Sequence, residues 1–156
     1  MKQCLLAAAV GILSSSSLAH AQTCASATPI ASNTSYVSDT TGTTDWMFQF
    51  GPLASPSHDM LYTFTAGAPP LGMITPTASS YLFAMYLIPS CADSGSEPSP
   101  IRATATLGRA IDLNGLTEGM RYYLAVTGTA AGGPGANGTV HFNTPFPVML
   151  QSFTVD

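Results

Sequence analysis

Lysine is all but missing from these 156 residues: the one copy, Lys2, stands at the amino terminus. Without lysine side chains beyond that point, the chain has no side-chain amine for Schiff-base chemistry and none to grip nucleotide phosphates in a P-loop. Charge of either sign is scarce too. Asp, Glu, Lys and Arg make up 8% of the sequence, against roughly 25% in an average soluble domain. Past residue 21, three arginines (Arg102, Arg109, Arg121) stand against eight acids, a net charge of −5. Nucleic-acid binding rests on clustered cations that neutralise phosphates, so no nucleic-acid partner is expected.

Long hydrophobic runs are also lacking. Cys4 to Leu13 is an apolar stretch of ten residues, about half of the roughly 20 needed to cross a hydrocarbon core. It follows the positive start Met1-Lys2-Gln3 and precedes Ala19-His20-Ala21, the small-x-small form that a signal peptidase cuts. Residues 1–21 therefore read as a signal peptide removed before Gln22, leaving a secreted or periplasmic protein without a transmembrane anchor. Cysteine is reduced in the same step. Cys4 departs with the leader, and Cys24 and Cys91 remain, so an oxidising compartment permits one intramolecular pairing. A zinc pair or a reactive thiol is the alternative. A metal would need further ligands from His58 and His141, and neither has metal-ligand spacing to a cysteine.

What is abundant is turn residues and apolar alternation. Hydrophobic periodicity is two wherever it can be read, and turn residues interrupt it every eight to twelve positions, which predicts an all-β, antiparallel, jelly-roll-like sandwich with little helix. The expected strands are 34–38, 46–50, 60–65, 81–88, 101–107, 121–127, 139–143 and 148–155. In 101–107 the spacing turns Ile101, Ala103, Ala105 and Leu107 inward and Arg102, Thr104 and Thr106 outward. Segments 66–80 and 90–100, rich in proline and turn formers, read as exposed loops. One domain, 22–144, is expected, followed by a strand or tail over 145–156 whose apolar content calls for a cover. The aromatics Trp46, Phe48, Phe50, Tyr62, Phe64, Tyr122 and Tyr123 fall on strands and read as core and cross-strand pairs rather than a carbohydrate platform.

Few motifs carry chemistry. Gly133-Pro134-Gly135-Ala136-Asn137-Gly138 spells G-x-G-x-x-G, but a strand pattern follows where a dinucleotide site needs a helix, so the glycines supply a turn. His58 beside Asp59 is the best acid–base candidate, and with a nearby serine it would make a small exported hydrolase. There is no G-x-S-x-G elbow, and neighbours on a strand point to opposite faces. Two acidic loops, Asp39 to Asp45 and Asp93 to Glu97, set oxygen ligands around a glycine and offer calcium sites at Asp39, Asp45, Asp93 and Glu97. The competing reading is turn-forming Asp bonded to nearby amides. Asn33-Thr34-Ser35 and Asn137-Gly138-Thr139 fit the glycosylation triplet.

Three segments in order resemble the bacterial pre-peptidase C-terminal domain of secreted proteins. Cys24-Ala25-Ser26-Ala27-Thr28-Pro29-Ile30, with the threonine-rich 38–44, is similar to the start of that module. Asp59-Met60-Leu61-Tyr62-Thr63-Phe64-Thr65 resembles its D-x-x-Y-x-F-T strand, and Leu116 to Gly128 its L-T-x-G-x-x-Y-Y strand, with Gly119, Tyr122 and Tyr123 in register. The likeness covers residues 24–142. The resemblance implies a β-sandwich accessory module tied to export, processing or attachment, here as a stand-alone copy. Two departures stand out: Leu82 occupies a position where the family often has an acid, and the paired acids after the mid-domain cysteine are reduced to Asp93. The expected function is a non-catalytic binding module for a protein, glycan or partner subunit, without an obligatory cofactor. A structural or assembly subunit is a further alternative.

Overall fold

A computed structural model describes residues 23–31, 33–43, 49–50, 53–54, 58–93, 96–104, 109–128 and 138–144, with 49–50, 53–54 and 96–97 traced by backbone. The strands are β1 (Thr28–Pro29), β2 (Thr34–Asp39), β3 (Gln49–Phe50), β4 (Leu53–Ala54), β5 (Asp59–Thr65), β6 (Met73–Ser79), β7 (Phe83–Ile88), β8 (Ser96–Glu97), β9 (Arg102–Thr104), β10 (Ile111–Asp112), β11 (Arg121–Gly128) and β12 (Thr139–Thr144). Sheet one runs β1-β5-β11-β7-β9, sheet two β10-β6-β12-β2, and a small third sheet β4-β3-β8. All pairings within the two large sheets are antiparallel except β1 with β5. The helix content among the described residues is one 3-10 turn, Cys24–Ser26, as expected for an all-β sandwich. The signal segment 1–21 and the 145–156 segment lie outside the described residues.

The core fills the space between the two large sheets. Alternation on β5 turns Tyr62 and Phe64 inward, where they meet Tyr122, Leu124 and Val126 of β11 and Met85 and Leu87 of β7. Sheet two answers with Ile74, Ile111, Val140 and Phe142. Aromatic contacts cross this space: Tyr62 meets Phe142 edge-on at 5.3 Å, and Tyr36 stacks on Phe142 at 5.5 Å. Such pairs contribute about 0.5–1.5 kcal/mol beyond the area they bury.

Two expectations need correction. Segment 66–80 is not an exposed loop: it contains β6, paired on both sides, with Ile74 and Leu71 fully buried. Pro76, a residue that argues against a central strand, sits opposite Phe142 where the ladder shifts register. An irregularity there accommodates a residue that cannot donate to the ladder. The second correction concerns β9. Ile101 N–H donates to Leu87 O at 2.8 Å, and the resulting register sets Arg102 opposite Leu87 and Thr104 opposite Met85. Thr104 is therefore buried on the inner face and Ala103 is turned out beside Tyr86, the reverse of the predicted faces. Ile101 does pack on the core, from just ahead of the strand.

Candidate functional site

The outer face of sheet one is where the arm, the disulfide and the motif residues converge. Cys24 and Cys91 are bridged, with Cα atoms 5.7 Å apart. The bridge pins the amino-terminal arm across the sheet, and Ala27 closes over Leu61, Ala125 and Ile88 with Tyr86, Tyr123 and Cys91 alongside. The 3-10 turn ahead of β1 is held by a reciprocal cap: Ser26 N–H donates to Thr23 Oγ1 and Thr23 N–H to Ser26 Oγ. Asp93, at φ +55°, accepts from Cys24 N–H at 2.6 Å, so its carboxylate fastens the arm from the other side of the bridge.

Beside this arm lies an open cleft of about 380 Å³, lined by Cys24, Ala27, Pro29, Thr63, Thr65 and Arg121 among others. Antiparallel register explains the lining. Arg121 sits opposite Thr65 and Tyr123 opposite Thr63, so this end of the outer face is polar. At the other end, Asp59 opposite Thr127 is buried. Arg121 is exposed and makes no ion pair among the described residues.

The motif residues have structural roles. The L-T-x-G-x-x-Y-Y segment forms a tyrosine corner: Thr117 N–H donates to Tyr122 Oη at 3.0 Å, the back-bond typical of Greek-key sandwiches. Gly119, at φ +76°, turns the chain so that its N–H reaches Ala66 O at 2.8 Å while Ala66 N–H reaches Met120 O at 2.9 Å. A Cβ there would meet nothing within 4 Å, so glycine is needed for the left-handed turn and not for space. Tyr122 is buried against Phe64, ring centres 6.0 Å apart, whereas Tyr123 turns to the outer face. Neither tyrosine is a free surface group.

His58 lies just ahead of β5 and Asp59 is its first residue. His58 is half-buried with Nδ1 3.2 Å from Thr40 O, and Asp59 is buried in the ladder opposite Thr127. Asp59 is close enough to raise the phenols of Tyr81 and Tyr86, each pushed up first by its own burial. Among the described residues no serine hydroxyl is bonded to His58, and Ser55 and Ser57 lie outside them. Thr40 is the hub of this end of the sandwich. Its N–H donates to Gly138 O at 2.9 Å, and its Oγ1 accepts from Gly138 N–H at 3.0 Å.

Of the proposed calcium ligands, the two whose side chains are described, Asp39 and Asp93, are each bonded to a backbone amide. Asp39 Oδ1 accepts from Thr41 N–H and Thr41 Oγ1 at 3.0 and 2.6 Å, which holds its carboxyl below the usual range. This is the turn-forming role. Asp93 is spent on Cys24, and the side chains of Asp45 and Glu97 lie outside the described residues. Cys24, Cys91 and Asp93 do cluster within 4.8 Å. Both sulfurs are consumed by the bridge, however, and a disulfide supplies no thiolate to a metal. Sequence reasoning missed Arg121; its position two residues before Tyr123, on the same face, was the available signal. No family model matches this chain, and the searches of curated proteins and solved structures return no match.

Proposed function

We propose that this chain is an exported, non-catalytic binding module that presents the cleft beside its disulfide to a protein or glycan carrying an acidic group. The observation that carries the reading is Arg121: an exposed guanidinium at a cleft of about 380 Å³, flanked by Thr63 and Thr65. Its fork of donors suits bidentate recognition of a carboxylate, and the Thr65 hydroxyl suits a polar ligand, while that of Thr63 donates to Tyr122 O at 3.1 Å. The disulfide fits the oxidising compartment implied by the signal-like segment 1–21. No described helix is long and apolar enough to cross a membrane. The resemblance to the pre-peptidase C-terminal domain supports an accessory role of the same kind.

The test is binding of residues 22–156 to arrays of acidic glycans, neutral glycans and acidic peptides. Carboxylate-bearing probes are expected to bind, and Arg121→Gln to weaken them about tenfold, the loss of one charge-assisted contact. Arg109→Gln should leave binding unchanged. Binding indifferent to Arg121→Gln would remove the cleft from the reading, and turnover of any probe would replace the binding module with an enzyme.

A further inference from the structure

The open edge of sheet two points to a further contact. β2 ends the order β10-β6-β12-β2, and no described strand lies beyond it. Thr40 N–H donates to Gly138 O. Counting back by twos along the β2–β12 register, residues 34, 36 and 38 turn their backbone groups toward β12. Ser35, Val37 and Asp39 therefore direct N–H and C=O groups to the open side. The Val37 side chain is also 56% exposed, an apolar side chain in the middle of a six-residue edge. Natural sandwiches seldom leave an edge of this length unmanaged.

The chain itself supplies an occupant at the right place. β12 finishes at Thr144, paired with Thr34 at the start of β2. That end is fixed: Thr144 Oγ1 lies 2.8 Å from Ala31 O and 3.1 Å from Thr34 O, and Asn33 N–H donates to Thr144 O. Beside it is a recess of about 280 Å³ lined by Asn33, Thr34, Ser35, Asn143 and Thr144. Both flanks of β12 are taken, by β6 and β2, so residues beyond 144 cannot add directly to it. The nearest vacancy is one strand further, about 10 Å away at the usual strand spacing, and the three residues 145–147 extend about 10 Å. Pro145 and Pro147 are suited to such a link, which makes no ladder bonds, and Val148 to Val155 then offers eight residues to a six-residue edge.

We propose that residues 148–155 dock in cis as an added strand parallel to β2, reached by crossing the β2 end through the Asn33–Thr144 recess. The added strand caps the Ser35, Val37 and Asp39 backbone groups and extends sheet two to five strands.

Amide exchange on the full chain, read residue by residue by NMR, tests this. Ser35, Val37 and Asp39 are expected to be protected, and Gln151→Pro, which removes a donor from the middle of the added strand, should speed their exchange about tenfold or more. Tyr36 and Ser38, bonded to β12, should be unchanged, as should β5 and β11, which confirms that the variant is folded. Fast exchange at the three edge amides in the unmodified chain would overturn the proposal. So would protection that survives Gln151→Pro, or protection that disappears on dilution, which would assign the edge to a second copy.

Discussion

In sheet two, β12 alternates buried Val140, Phe142 and Thr144 with more accessible Thr139, His141 and Asn143, whereas in sheet one β11 stays buried without a break from Leu124 to Gly128. β7 is equally dry, with only Tyr86 half-buried. The two sheets share one inner core but differ in what lies outside. Sheet two turns its back to solvent, with Ser35 Oγ bonded to Asn143 Oδ1 across the strands at 2.7 Å. Sheet one is covered over Leu61, Ile88 and Ala125 of its outer face by the arm that Cys24 and Cys91 tie down. An antiparallel sheet needs only one dry face. Around Leu61, Ile88 and Ala125 the second dry face of sheet one is therefore a consequence of the disulfide-pinned arm, and the bridge is part of a satellite core.

If the bridge maintains that layer, replacing both Cys24 and Cys91 by Ser carries the largest expected effect. A bridge across 67 residues restricts the unfolded chain by about 4 kcal/mol at most. The double variant should lose about 2–4 kcal/mol in denaturant unfolding, with faster amide exchange concentrated at Leu61, Ile88 and Ala125. Uniform loosening of both sheets would mean that the arm does not act as a separate layer. Slightly smaller is the contrast between faces. Leu61→Ala, on the outer side of sheet one yet fully buried, should cost about 3 kcal/mol from lost contacts and the residual cavity. Val37→Ala, on the outer side of sheet two, should stay within about 0.5 kcal/mol. Equal costs would erase the distinction between the two sheets.

The same difference governs how far the sequence could be read. Strands dry on one face announce themselves, and residues 34–38 and 139–143 were placed to within a residue. β5 and β11 were legible through Tyr62, Phe64 and Tyr122, and the lone cysteine pair left the bridge little choice. β6 was hidden because Thr, Ser and Pro dominate it, and a strand can hold a proline where its ladder slips, as at Pro76. The faces of β9 were misassigned because alternation gives a period but not a phase. The phase comes from pairing with β7, a contact distant in sequence. Asp93 and Asp39 illustrate a different blindness. A carboxylate that fastens a backbone amide has the same spelling as one that binds an ion, and only geometry separates the two.

The smallest effect concerns the layer that both sheets share. Tyr62 of sheet one and Ser38 of sheet two are buried on facing sides of the core, and among the described residues neither oxygen has a partner at hydrogen-bonding geometry. Burial pushes the Tyr62 phenol up to about 12, with Ser38 near enough to oppose the shift in part. Because the folded state holds this proton more tightly than the unfolded chain, whose tyrosines titrate near 10, its contribution is intact below pH 10. It is lost as pH rises toward 12, by up to about 3 kcal/mol. Tyr62→Phe keeps the ring contacts with Phe142 and Tyr36 while removing an unpaired buried hydroxyl. It should therefore leave stability at pH 7 unchanged or raise it by about 1 kcal/mol, and flatten the decline between pH 10 and 12. The slope should not vanish, since burial also raises Tyr81 and Tyr86. Denaturant unfolding of both proteins from pH 7 to 11.5 measures the difference. A loss of more than about 1 kcal/mol at pH 7 would show that the hydroxyl is bonded across the sheets in solution, and the inner layer would then be a polar junction where the two sheets meet.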